Sequence, residues 1–169
     1  MVHSELYSTI LSAFKEAGWS YNEVEGREVV RAGFEAHHTR VELHVQSFPQ
    51  IPAVSVVAES PRTTTDPVKR ERLAELAMRV NQTLTVGNFE IAWDSGRMFF
   101  RATNLFPTPQ GDRKIIQGLV HNTVGEMDRI SALEAIVYRA DGPELASLDL
   151  AVLLDSGEFV PDVPAPDET

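Results

Sequence analysis

Arg40-Val41-Glu42-Leu43-His44-Val45-Gln46 is the stretch that decides the fold. Val41, Leu43 and Val45 alternate with polar or charged neighbours, the period of two that puts one set of side chains in a core and the other in water. The flanking segments read alike. Upstream, Val30, Ala32, Phe34 and Ala36 alternate with Arg31, Gly33 and Glu35; downstream, Val54, Val56 and Ala58 alternate with Ser55, Val57 and Glu59. His37-His38 links the first two strands and Phe48 to Pro52 links the second to the third, so the three form an antiparallel meander.

Helical spacing appears on both sides of the meander. Leu6, Ile10, Leu11 and Phe14 follow Ser4, an N-cap residue, and precede Gly18, a stop. Asp66-Pro67 opens a second helix with Leu73, Leu76, Ala77, Val80 and Leu84 on one face. Phe89, Ile91 and Trp93 then alternate, Asp94-Ser95-Gly96 turns the chain, and Arg97 to Thr103 forms the returning strand of a hairpin. Asp112 caps a long apolar stripe through Ile116, Val120, Thr123, Met127, Ile130 and Val137. Ser131 and Glu134 have capping-box spacing, which predicts a kink near Arg129 to Ser131 and a short helix to Tyr138. Glu144 to Leu154 reads as a last amphipathic helix, with a strand as the alternative. The expected class is therefore α+β, a five-stranded antiparallel sheet with helices on one face in the order α-β-β-β-α-β-β-α.

At 169 residues the chain fits one domain. We expect this domain over residues 1–154, with residues 155–169 an acidic, proline-rich disordered tail. Cysteine is absent, so disulfides, thiolate metal sites and cysteine nucleophiles are excluded. The net charge is −10, but five of the 25 acids lie from Asp155 onward. The remainder holds 20 acids against 15 bases and is only mildly acidic. No apolar run approaches a membrane span and Met1 to Glu5 lack a signal pattern, so a cytoplasmic protein without membrane contact is expected.

Motifs for chemistry are missing. There is no Gly-x-Ser-x-Gly elbow, no Ser-x-x-Lys and no glycine-rich phosphate loop after a strand. His37, His38 and His44 lie on adjacent or opposed strand positions and do not match a metal-ligand spacing. Lys69, Arg70, Arg72 and Arg79 interleave with Glu71 and Glu75 as a self-paired helix face, and direct nucleic-acid binding is not expected. No metal, cofactor or catalytic residue is expected.

Two features suggest an interface. Gly118, Gly125 and Ala132 recur every seven residues beside the stripe that carries Met127 and Ile130, and glycine inside a helix costs about 1 kcal/mol unless something approaches closely. Either the chain's own sheet or a second subunit is expected against it. Val29, Val57 and Phe99 stand on the otherwise polar strand face, which matters if they cluster.

Several strings carry a resemblance. Val24-Glu25-Gly26, Val86-Gly87-Asn88-Phe89-Glu90, the Gly96 turn with the Arg97 to Arg101 strand, Asn122-Thr123-Val124-Gly125-Glu126-Met127-Asp128-Arg129 and Ala135-Ile136-Val137-Tyr138 resemble the pattern of the YbjN family of bacterial proteins over Leu6 to Leu145. The chain departs from that pattern at Ile130-Ser131-Ala132, where a proline often follows the aspartate-arginine string. The resemblance implies a fold similar to the type III secretion chaperones, which dimerise and hold extended segments of partner proteins. The family is labelled a sensory transduction regulator and has no established activity. A non-enzymatic, chaperone-like or regulatory protein-binding module, working as a homodimer, is the leading expectation. The alternative is a small-ligand binder or an uncharacterised enzyme whose site on the polar strand face is built from Arg31, Glu42, His44, Glu90 and Arg101.

Overall fold

A computed structural model describes residues 3–156, so the expected acidic tail lies outside the described residues from position 157 onward. The elements run α1 (Glu5–Ala17), β1 (Asn22–Glu23), β2 (Val29–Glu35), β3 (Arg40–Phe48), β4 (Ala53–Glu59), α2 (Pro67–Asn81), β5 (Asn88–Ala92), β6 (Arg97–Leu105), α3 (Arg113–Arg139), α4 (Gly142–Ser147) and α5 (Leu150–Asp155). The class is α+β, with every strand pair antiparallel in the order β1-β2-β3-β4-β6-β5.

The sheet has six strands where the sequence predicts five. The extra strand, β1, has two exposed residues and no alternation to betray it; it exists because the Val24 to Arg27 turn folds it back on β2. The element order changes accordingly. The meander of β2, β3 and β4 and the hairpin of β5 and β6 are otherwise as expected, and they join along the single pair β4 and β6.

The helix caps follow the local chemistry. Ser4 accepts from the Tyr7 amide, Asp66 from Val68 and Asp112 from Lys114 and Ile115, each satisfying amides that the first helical turn leaves unpaired. The kink expected near Arg129 to Ser131 is not there. α3 runs unbroken for 27 residues, about 40 Å, because the apolar stripe stays in phase through Ile130, Leu133 and Val137. Ser131 is buried within the helix rather than capping a new one, and Glu134 reaches across to Arg62 at 3.4 Å. The final segment is helical but broken at Leu148 and Asp149 into α4 and α5.

All helices pack on one side. The core gathers Val30, Ala32, Leu43, Val54, Val56, Ala58, Phe100 and Ala102 from the sheet with Ile10, Phe14, Leu76, Ile116 and Ile130 from the helices. Burial of each of the larger side chains contributes about 1.5–3 kcal/mol. α3 crosses β3, β4 and β6, α1 lies over β3, and α2 covers β5. No helix or strand among the described residues lies on the opposite face.

Candidate functional site

The uncovered face is a grid whose rows follow from the register. One row runs Asn22, Arg31, His44, Val57, Arg101, Asn88 across all six strands. The next brings Phe99 between Glu59 and Glu90, with Glu42 opposite Gly33. A third row at the β3–β4 turn holds Phe48, Ala53 and Leu105.

The five residues of the expected ligand face divide into two groups. Arg31, Glu42 and His44 line one depression of about 340 Å³ together with Glu59. Glu90 and Arg101 instead pair with each other at 2.8 Å, and that bond holds the Glu90 carboxyl below the ordinary carboxylate range. Glu42 bonds Arg40 at 2.6 Å and Glu59 bonds Arg97 at 3.0 Å. By contrast, the Arg27 and Arg31 guanidinium groups have no hydrogen-bond or ion-pair partner among the described residues. His44 is half-buried between these groups. Burial pushes its imidazole below the ordinary value, and Arg101, Arg31 and Arg27 reinforce that while Glu59 opposes it. Arg27 was not legible as a member, since it lies in the turn before β2 and carries no strand pattern. Glu59 already stands among the polar positions of its strand in the alternation; only the sheet register brings it beside Glu42 and His44.

Val29, Val57 and Phe99 do not form one patch. Val57 and Phe99 are diagonal neighbours, but Val29 is two strands away and opposite Gln46. Val29 and Val57 are also 6% and 4% exposed, shielded within the face by longer flanking side chains rather than by another element. At the β3–β4 end of the sheet Leu105 is 69% exposed in the row of Phe48, and Ile51 in the turn after Phe48 is 58% exposed; the helices and other loops expose further apolar side chains, Met78 and Val152 among them. Continuing the alternation of β3 and β6 to their last residues is the signal that finds the row of Phe48 and Leu105.

The small-residue stripe of α3 does not pack on the chain's own sheet. Gly118 and Gly125 are exposed, and a Cβ added to either would meet nothing within 4 Å. Among the described residues neither the sheet nor another helix approaches them; Met127 and Ile130 point into the core and Ala132 is half-buried. Each glycine therefore costs helix stability without an internal return. Gly118→Ala with Gly125→Ala is expected to stabilise the monomer by about 2 kcal/mol, raising the melting temperature by roughly 4–8 °C in a thermal scan. No gain in either single variant would contradict the open geometry.

The sheet edge at β5 is partly occupied. The Asn81 side chain accepts from the Phe89 amide at 2.7 Å and donates to the Phe89 carbonyl at 3.0 Å, and Arg70 donates to the Trp93 carbonyl at 3.1 Å. These bonds occupy backbone groups that an added strand would need. Arg70 also stacks over the Trp93 ring at 4.5 Å. Elsewhere on α2, Arg79 pairs with Glu75 at 2.8 Å as the helical spacing predicts.

Two buried carboxylates on α3 serve the core side. Asp128 accepts from the His38 and Thr39 amides at 2.6 and 3.1 Å and lies 2.9 Å from His38 Nδ1, so it holds the β2–β3 turn. Burial pushes the Glu134 carboxyl above its ordinary value against the opposing influence of Ser60 and Arg62, and its Oε1 has no partner. Burial likewise pushes the nearby Tyr138 hydroxyl up to about 12, and that hydroxyl donates to the Gly96 carbonyl at 2.7 Å. No cluster of three or more His, Asp or Glu among the described residues could hold a metal ion. No helix among them is long and apolar enough to cross a membrane.

The chain matches no protein-family model, and a search of curated proteins finds no match. The resemblance drawn from the short strings therefore rests on those strings alone.

Proposed function

We propose that this chain is a non-enzymatic protein-binding module, chaperone-like or regulatory, that holds an extended segment of a partner protein on the uncovered face of its sheet. One observation carries the reading: a sheet backed by helices on one side presents, on the other, exposed Leu105 in the row of Phe48 and Ala53, beside an array of mostly ion-paired charges. Such a surface offers an exposed apolar side chain flanked by charged groups, a combination suited to recognition. Binding to the face, rather than strand addition at the β5 edge, follows from the Asn81 and Arg70 bonds that occupy that edge.

The occupant has a definite chemistry. The face carries Arg31, Arg40, Arg97 and Arg101 against Glu35, Glu42, Glu59 and Glu90, and among these Arg31 is the group without an ionic partner. Arg27 adds a second unpaired cation beside it. An apolar segment bearing carboxylates complements this surface better than the basic one that whole-chain charge alone would favour. Homodimerisation and a cytoplasmic location belong to the same reading. A dimer formed through the open side of α3 would weaken when Gly118 and Gly125 become alanine, even as the monomer gains stability.

The test is a peptide array of 15-residue segments probed with the full chain. Peptides that alternate apolar residues and carry acids should be selected, and Leu105→Glu should weaken their binding about tenfold or more without changing the circular dichroism spectrum. Binding without sequence preference, or unaffected by Leu105→Glu, would overturn the proposal.

A further inference from the structure

We propose that the depression bounded by Arg27, Arg31 and His44 is a binding site for an oxyanion, a phosphate or carboxylate group. Two adjoining hollows on the uncovered face, of about 340 and 260 Å³, share Arg31, His44 and Glu59. Arg27 enters from the turn after β1, Arg31 from β2 and His44 from β3, with Arg31 directly opposite His44 in the register. Arg101 stands two strands away on the same row, separated from His44 by the small side chain of Val57.

The charges are arranged for an anion from outside. Of the carboxylates in these hollows, Glu42 is bonded to Arg40 and Glu59 to Arg97. Arg101 is likewise bonded to Glu90. The guanidinium groups of Arg27 and Arg31 are left with their donors unspent among the described residues, side by side and next to a half-buried imidazole. Like charges gathered in one hollow repel one another, the carboxylates Glu42 and Glu59 that share these hollows being already engaged by Arg40 and Arg97, and in a chain of net charge −10 this cluster is a local exception. An oxyanion relieves the repulsion and accepts charge-assisted hydrogen bonds from both forks. His44 adds a ring nitrogen that donates more strongly when protonated.

Protonation gives the readout. His44 is faced by Arg27, Arg31 and Arg101, which disfavour its cation, and by Glu59, which favours it. A bound anion adds negative charge beside the ring, so His44 should titrate at higher pH when the site is occupied, and binding should strengthen as pH falls through that titration.

The full chain is titrated with inorganic phosphate, and separately with acetate, at constant ionic strength set by chloride. The His44 imidazole is followed by NMR across pH. The expected result is a saturable shift with at least one of the two anions, an upward move of the His44 titration, and roughly tenfold weaker binding in Arg31→Gln and in Arg27→Gln. Lys15→Gln, which removes the same charge from the helix side, should leave binding unchanged. Identical titrations in phosphate, acetate and chloride would overturn the site. So would a shift that Lys15→Gln reduces as much as Arg31→Gln, since that would be general screening. The site deepens the partner-binding reading, since Arg27 and Arg31 are the cations that a segment's carboxylates would meet there: failed anion titrations remove the preference for acids and leave the Leu105 result intact, whereas a failed peptide array leaves the anion titrations intact.

Discussion

Asp128→Ala is expected to destabilise the protein by about 3 kcal/mol, the sum of roughly 1–3 kcal/mol for each amide left without an acceptor. Asp128 is 6% exposed on α3 and satisfies the His38 and Thr39 amides of the β2–β3 turn, with His38 Nδ1 at 2.9 Å on its second oxygen. Alanine removes all three contacts at once and unpins the turn from the helix. For a chain of this size the melting temperature should fall by about 6–12 °C. Asn keeps one acceptor oxygen, so Asp128→Asn should lose about half as much. Urea unfolding of both variants checks the order; a loss below roughly 0.5 kcal/mol for alanine would show that solvent satisfies the turn equally well.

Gly96→Ala should cost a similar amount for a different reason. Gly96 has φ 60° at the β5–β6 turn, a conformation that adds about 1–2 kcal/mol for a residue with a Cβ. Its Cβ would also sit 2.5 Å from the Thr64 carbonyl oxygen, which is backbone and cannot rotate away. Thr64 is held there because its amide donates to the Ser95 carbonyl at 2.9 Å, and the Gly96 carbonyl is engaged by Tyr138. Moving the turn therefore disturbs both of these bonds, and the total should approach about 3 kcal/mol. Gly26→Ala is the control. Gly26 has φ 71° and open space around its Cβ, so it should pay only the conformational part. Equal losses in the two variants, measured by denaturant titration, would refute the steric component.

Much of the architecture was legible because its strands have one wet face. Val41, Leu43 and Val45 could be assigned to the core from the sequence because their neighbours are polar, and that one pattern located the meander. β1 was not legible because two exposed residues carry no period. Ser131 and Glu134 were misread because a cap and a buried helix position share the same spacing; only the position of Arg62, far away in the chain, distinguishes them. Asp128 was hidden for the same reason, since its partners lie across the fold in the turn at His38 and Thr39. On the uncovered face, the residue types were readable but their division was not. Register decides that Arg31 faces His44 and that Arg101 spends its charge on Glu90. The burial of Val57 similarly depends on the side chains flanking it in neighbouring strands.

The β4–β6 pair bears on how the chain reaches its folded state. The β2–β3–β4 meander and the β5–β6 hairpin each close short loops, whereas pairing Val57 with Arg101 must close a loop that spans all of α2 and β5. Loop closure grows costlier only slowly with length, by about 0.6 kcal/mol per doubling, but it has to occur before any long-range contact can compensate. That pairing is therefore expected to be the slow event in assembling the sheet. The row from Arg31 to Arg101 draws residues from both sides of it, so the complete recognition face comes into being only when the pair closes. A ligand of that face added during refolding would report the closure directly, and ligand engagement ahead of native β4–β6 amide protection would contradict this order.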